Sequence, residues 1–169
     1  MATLDKPKVY LESSTISYLT ARPTDEPIRK AKQILTRRWW EQREKFDFYI
    51  SQTVLEEIAD GDTQAAEARL EIAKDIPILE SNDKIKPLAH AFLRAGAIPA
   101  KSVADAEHIA YSAIYGMDFL ITWNQKHIAT NANRWLIEAV LLDAGFRLTR
   151  LLTPEQHLFL MEIENDSNP

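Results

Sequence analysis

Ser102–Ala129, SVADAEHIAYSAIYGMDFLITWNQKHIA, is the stretch whose reading decides the fold. Val103, Ala106, Ile109, Ala110, Ala113 and Ile114 recur at helical spacing, so Ser102–Tyr115 reads as a helix with one apolar face. Gly116 supplies a turn. Asp118–Trp123 (DFLITW) is then a short apolar run without polar alternation, the pattern of a strand covered on both faces. Asn124, Lys126 and His127 follow directly. Open α/β sheets gather their ligand chemistry just beyond the C-terminal ends of their strands. A helix feeding such a strand starts at that same edge, which places Asp105, in its first turn, beside the polar cluster.

Working outward, Lys8–Leu11, Phe46–Ser51, Ile76–Leu79 and Phe146–Leu152 read as further strands, with Pro77 marking an edge. Helices fall between them. One runs from Ser13 to about Arg22-Pro23. A second runs from Pro27 to about Glu44, with Ile28, Ala31, Ile34 or Leu35, and Trp39 inward. Thr53 and Glu56 have the spacing of a capping box, and Thr63–Lys74 is helical. Asn82–Ala95 is stopped by Gly96 and Asn131–Ala144 by Gly145. Thr153, Pro154 and Gln156 start a terminal helix as N-cap, N1 and N3. Residues 164–169 read as a frayed tail of a single domain spanning 1–169. Strands alternating with helices predict an α/β fold with a mostly parallel sheet covered on both faces.

Composition narrows the chemistry. The chain of 169 residues is long enough for a sizeable core and contains no cysteine, which excludes disulfides, zinc–thiolate sites and cysteine nucleophiles. The four histidines lack zinc-site spacing. A net charge of −5 argues against general electrostatic binding to nucleic acid but leaves room for a carboxylate metal site. No stretch approaches the ~18–20 apolar residues of a membrane span. MATLDKPKVYLES has no signal-peptide core, so a cytoplasmic location is expected.

Four positions converge on the strand ends. Glu12 closes the first strand, Glu57 lies one helical turn after the second, Asp105 opens the central helix and Asn124 follows the DFLIT strand. Such oxygen ligands suit Mg²⁺ or Mn²⁺. Each also has a plainer reading. Asp105 is spaced as the N3 partner of Ser102 in a capping box, Glu12 as a solvent-facing strand end, Asn124 as a turn residue and His127 as a surface histidine. Glu56 is accounted for by Thr53; Glu57 points about 100° away around the helix and has no local task. Arg22–Lys45 is rich in lysine and arginine and carries Trp39 and Trp40. It reads either as a base-stacking surface or, preferably, as an amphipathic helix with Trp39 inside.

The order of these motifs resembles the PIN-domain family of metal-dependent ribonucleases, in particular the VapC-type toxins. They are Val9-Tyr-Leu-Glu12-Ser-Ser, Ser51 with Glu57 six residues on, Asp105-Ala-Glu-His-Ile-Ala and Leu120-Ile-Thr-Trp-Asn124. The WNxKHI form at Trp123–Ile128 is similar to one branch of that family. The resemblance implies a three-layer α/β/α fold and Mg²⁺- or Mn²⁺-dependent cleavage of RNA. It implies Glu12, Glu57, Asp105 and Asn124 as catalytic metal ligands, with Ser13, Ser14, Lys126 and His127 around substrate or ligands. A cognate antitoxin and a homodimer are the implied partners, with the aromatic-rich Arg37–Phe48 region as one candidate contact surface. Two departures stand out. The family's first acid is usually aspartate, and here it is Glu12; Asn124 brings no charge, and His127 stands where many relatives carry another acid. A catalytically weak or inactive PIN-like interaction module is therefore the alternative.

Overall fold

Val9, Tyr10 and Leu11 have no exposed surface, because the strand they form lies in the middle of the sheet. The computed structural model describes residues 5–167. Five strands are present: β1 (Lys8–Leu11), β2 (Asp47–Ser51), β3 (Ile78–Leu79), β4 (Phe119–Ile121) and β5 (Arg150–Leu152). They form one sheet in the order β3-β2-β1-β4-β5, parallel throughout. The chain builds outward from β1 to β3, then crosses back and builds outward on the other side. That reversal leaves a crevice at the C-terminal ends of β1 and β4.

Among the described residues seven α-helices lie between the strands and an eighth follows the last: α1 (Ser13–Thr20), α2 (Pro27–Trp40), α3 (Gln52–Ala59), α4 (Thr63–Ala73), α5 (Ile85–Arg94), α6 (Val103–Ile114), α7 (Arg134–Ala144) and then α8 (Pro154–Asp166). Right-handed crossovers in opposite directions send helices to opposite faces. Accordingly α1 packs on α2, α3 and α4, and α8 packs on α2, while α5 packs on α6 and α7. The result is the expected three-layer α/β/α arrangement. No helix of the described residues is long and apolar enough to cross a membrane.

Several local expectations shift. The capping residue of α3 is Ser51, whose hydroxyl accepts from Val54 N–H; Thr53 instead donates to Glu107 Oε2 at 2.8 Å. The capping box at Thr153 and Gln156 is present. Gly145 adopts the left-handed conformation (φ 81°) that closes α7. The inner face of α2 is rotated from the expected one: Gln33, Thr36 and Trp39 are buried, whereas Ile28 and Ile34 are exposed. Burial of two polar residues is possible because each is bonded, Gln33 Nε2 to Arg22 O and Thr36 Oγ1 to Lys32 O. The last strand is shorter than its apolar run, beginning at Arg150. Helix α8 continues through Glu164 to Asp166, part of the stretch expected to fray; residues 168 and 169 lie outside the described ones.

The aromatic residues of Arg37–Phe48 divide between core and surface, Trp40 and Phe48 being only partly buried. Trp39 and Phe46 are buried, and they pack with Trp40, Phe48 and His157. Trp39 is thus a core residue, as preferred from the sequence, and of the aromatic residues in this region only Trp40 and Phe48 keep appreciable exposed surface. Trp39 Nε1–H donates to His157 Nδ1 at 3.0 Å, so the imidazole must keep that nitrogen unprotonated. Burial, helped by the charge of Arg150, pushes the His157 pKa down to about 4. The unfolded chain takes up this proton near pH 6.5, so the stability that His157 contributes is complete above pH 6.5 and declines toward pH 4. Urea unfolding at pH 4.5 should therefore show a loss of about 2–3 kcal/mol from this group relative to pH 7. His157→Gln, which keeps an acceptor but cannot titrate, should remove that part of the pH dependence; an unchanged pH profile would refute the assignment.

Candidate metal centre

Glu12 ends β1 and serves as the N-cap of α1, its carboxylate accepting from Ser14 N–H at 3.1 Å. Glutamate is an uncommon cap, since shorter side chains reach the first-turn amides more directly. Here hydroxyl donors hold it. Ser13 Oγ donates to Glu12 Oε1 at 2.7 Å; Ser14 Oγ and Thr122 Oγ1 both donate to Oε2, the latter at 2.6 Å. Ser14 Oγ in turn accepts from Trp123 N–H, and Thr122 Oγ1 from Asn124 N–H. Two backbone amides beyond β4 are thus relayed through two hydroxyls onto one carboxylate oxygen. Glu12 Oε2 is saturated and Oε1 keeps open lone pairs.

Glu57 reaches the same place from α3. Its Oε1 takes Ser13 Oγ at 3.0 Å and His108 Nε2 at 2.7 Å, and its Oε2 has no hydrogen-bond partner among the described residues. Ser13 has one proton and two carboxylates within reach, so the acid pair is one donor short. His108, on α6, is fully buried, with Nδ1 2.7 Å from Tyr10 Oη, which lies 2.7 Å from Ser51 Oγ. Glu12, Glu57 and His108 each offer one ligand atom within 4.8 Å of the others.

The electrostatics follow the geometry. Burial lowers the His108 pKa, but the Glu57 hydrogen bond and the charges of Glu12, Glu57 and Asp105 outweigh it and raise the pKa above its ordinary value. Burial raises the Glu57 carboxyl, yet the hydrogen bond and charge of His108, with Ser13, hold it below the usual range. Burial puts the Tyr10 phenol well above its ordinary value, against the Ser51 hydrogen bond and with the Glu12 and Glu57 charges adding. Negative charge gathered where buried Glu12 meets solvent-exposed Glu57, with open carboxylate lone pairs, suits a small dication. The donors present therefore fit the ion that the sequence resemblance implies.

Asp105, Asn124 and His127 form an adjoining cluster. Asp105 Oδ1 accepts from Asn124 Nδ2 at 3.0 Å, and Oδ2 lies 2.7 Å from His127 Nδ1. Ser102 makes no side-chain cap, so the capping-box reading of Asp105 does not hold. Asn124 Oδ1 is engaged by His127 N–H, and its carbonyl accepts from Ile128 and Ala129. Asn124 thereby shapes the loop and holds Asp105. Lys126 is exposed on that loop and has no ion pair with a described residue. Ser13 and Ser14 lie against Glu12 as expected. His108 and Thr122 are the residues that sequence reasoning missed. Both were accessible: His108 lies three residues after Asp105, hence on the same helix face, and Thr122 is a hydroxyl inside an apolar run.

Beside α1, a cavity of about 740 Å³ opens between α2 and α4, lined in part by Arg22, Arg29, Gln33, Gln64 and Arg69. Arg22 donates to Gln64 and Arg69 to backbone carbonyls of Ile58 and Asp60, and neither makes an ion pair among the described residues, although Asp62 also lines the cavity.

Thr122→Val removes a donor to Glu12 and the acceptor of Asn124 N–H while keeping the shape. It should cost about 1–3 kcal/mol in urea unfolding. A variant as stable as the parent would show that the relay onto Glu12 carries no weight.

No family model matches the chain, and no curated protein matches it. Solved structures do. VapBC2 from Rickettsia felis, bound to a DNA fragment from their promoter, aligns at a TM-score of 0.51 and 13% identity, over 86% of this chain and 98% of that chain. VapBC-1 from nontypeable Haemophilus influenzae aligns at 0.52 and 14%, over 87% and 98%. With its parallel sheet in the order β3-β2-β1-β4-β5 and helices on both faces, this chain has the PIN-like fold of the VapBC structures.

Proposed function

We propose that this chain is a metal-dependent endoribonuclease, the toxin component of a type II toxin–antitoxin pair, acting in the cytoplasm. The observation that carries this reading is the pairing of Glu12 and Glu57 at the C-terminal edge of the sheet, where the Oε1 atoms of both carboxylates share the single Ser13 hydroxyl. When bound there, Mg²⁺ or Mn²⁺ would supply a water of lowered pKa and offset charge on a phosphodiester.

The protein's own groups divide the remaining work. Glu12 Oε1 and Glu57 provide anchoring oxygens, and Asp105, whose two oxygens each hold one hydrogen bond, keeps lone pairs for the same task. Asn124 acts through Asp105 rather than directly. Ser13 and Ser14 fix the first carboxylate. His127 and Lys126 stand on the loop beside it, where a phosphate oxygen can take a hydrogen bond. The arginine-lined groove beside α1 offers an anionic strand a path that the net negative charge of the chain otherwise denies. Likeness to VapBC complexes supports a VapB-type antitoxin as the protein partner, and a homodimer is part of the same proposal.

Purified protein should cut RNA with Mg²⁺ or Mn²⁺ and stop in EDTA. Glu57→Gln and Asp105→Asn should each lower the rate by on the order of 100-fold or more. Cleavage that persists in EDTA or in both variants would refute the reading. Metal binding without cleavage would instead leave an interaction module on a PIN-like fold.

A further inference from the structure

We infer that Nε2 of His108 is itself a ligand, so that the centre takes a first-row transition dication, represented by Mn²⁺, in preference to Mg²⁺. The inference deepens the nuclease reading and rests on the same site. His108 Nε2 lies 2.7 Å from Glu57 Oε1 and 4.0 Å from Glu12 Oε1. With bonds of ~2.1 Å, neighbouring ligands of an octahedral ion are roughly 3 Å apart and opposite ones roughly 4.2 Å. The nitrogen and the two carboxylates therefore need only small adjustments to share one ion.

The ring cannot turn away. His108 is fully buried on α6, and its other nitrogen is held by Tyr10. A ligating Nε2 requires the proton on Nδ1, where it donates to Tyr10 Oη. Tyr10 O–H then donates to Ser51 Oγ, which also accepts from Val54 N–H. All these donors point away from the carboxylates. Such outer partners are what fix the ring orientation and tautomer of metal-bound histidines. Magnesium favours oxygen ligands and retained water, whereas imidazole suits the first-row transition ions.

The full chain loaded with Mn²⁺ and studied by pulsed electron paramagnetic resonance should show ¹⁴N coupling from a histidine. Mn²⁺ should bind more tightly than Mg²⁺ by calorimetry. His108→Gln should abolish the coupling and narrow that preference. Tyr10→Phe should keep the coupling while weakening Mn²⁺ binding about 10–100-fold. Should His108→Gln not fold, His127→Gln serves: coupling retained supports His108, and coupling lost overturns the inference. Bound Mn²⁺ without ¹⁴N coupling in the parent chain also overturns it. If RNA is still cut in that case, the nuclease reading stands alone. Coupling without RNA cleavage leaves the ligand assignment standing and removes the nuclease reading.

Discussion

One carboxylate oxygen, Glu12 Oε2, collects donors from both sides of the sheet's crevice. It receives the amide that starts α1 and two hydroxyls, one on α1 and one at the end of β4, which themselves relay the amides of Trp123 and Asn124. A buried carboxylate without such partners would be costly. With them it becomes a fixed point that ties β1, β4 and the following loop together. The other oxygen of Glu12 is thereby aimed at Glu57 and His108. The length of the glutamate side chain is used in capping α1, where its carboxylate turns back to meet Ser14 N–H.

The same loop is tied in a second direction. Trp123 donates from its indole to Thr36 on α2 at 2.7 Å, and Lys32 lies over the Trp123 ring. Asn124 meanwhile holds Asp105 at the start of α6. Consecutive residues thus face opposite helical layers: Trp123 ties the loop to α2, and Asn124 ties it to α6.

The succession of strands and helices along the chain and the convergence of Glu12 and Glu57 were legible in the sequence, because short apolar runs and glycine stops are local signals. The inner face of α2 was not, because Gln33 and Thr36 are buried by hydrogen bonds that periodicity cannot register. The cap of α3 was misplaced by two residues because Ser51 and Thr53 are both good caps, and only the pairing of Thr53 with Glu107 separates them. The hydrogen-bond partners of the Asn124 side chain were hidden for a similar reason. An amide reads as a donor–acceptor of unknown aim until its partners, Asp105 and His127, are in place. His108 escaped notice because its partner Glu57 is distant in sequence and Tyr10 looks, from its strand, like an ordinary core residue.

Ser14 and Thr122 have a consequence for substitution at Glu12. Each uses its single proton on Glu12 and its lone pair on a backbone amide. Replacing any one of Glu12, Ser14 and Thr122 leaves a donor or acceptor stranded at the buried edge. The three groups therefore work as one unit, and shortening Glu12 to aspartate would draw its carboxylate away from both hydroxyls, one two residues on and the other across the sheet at the end of β4.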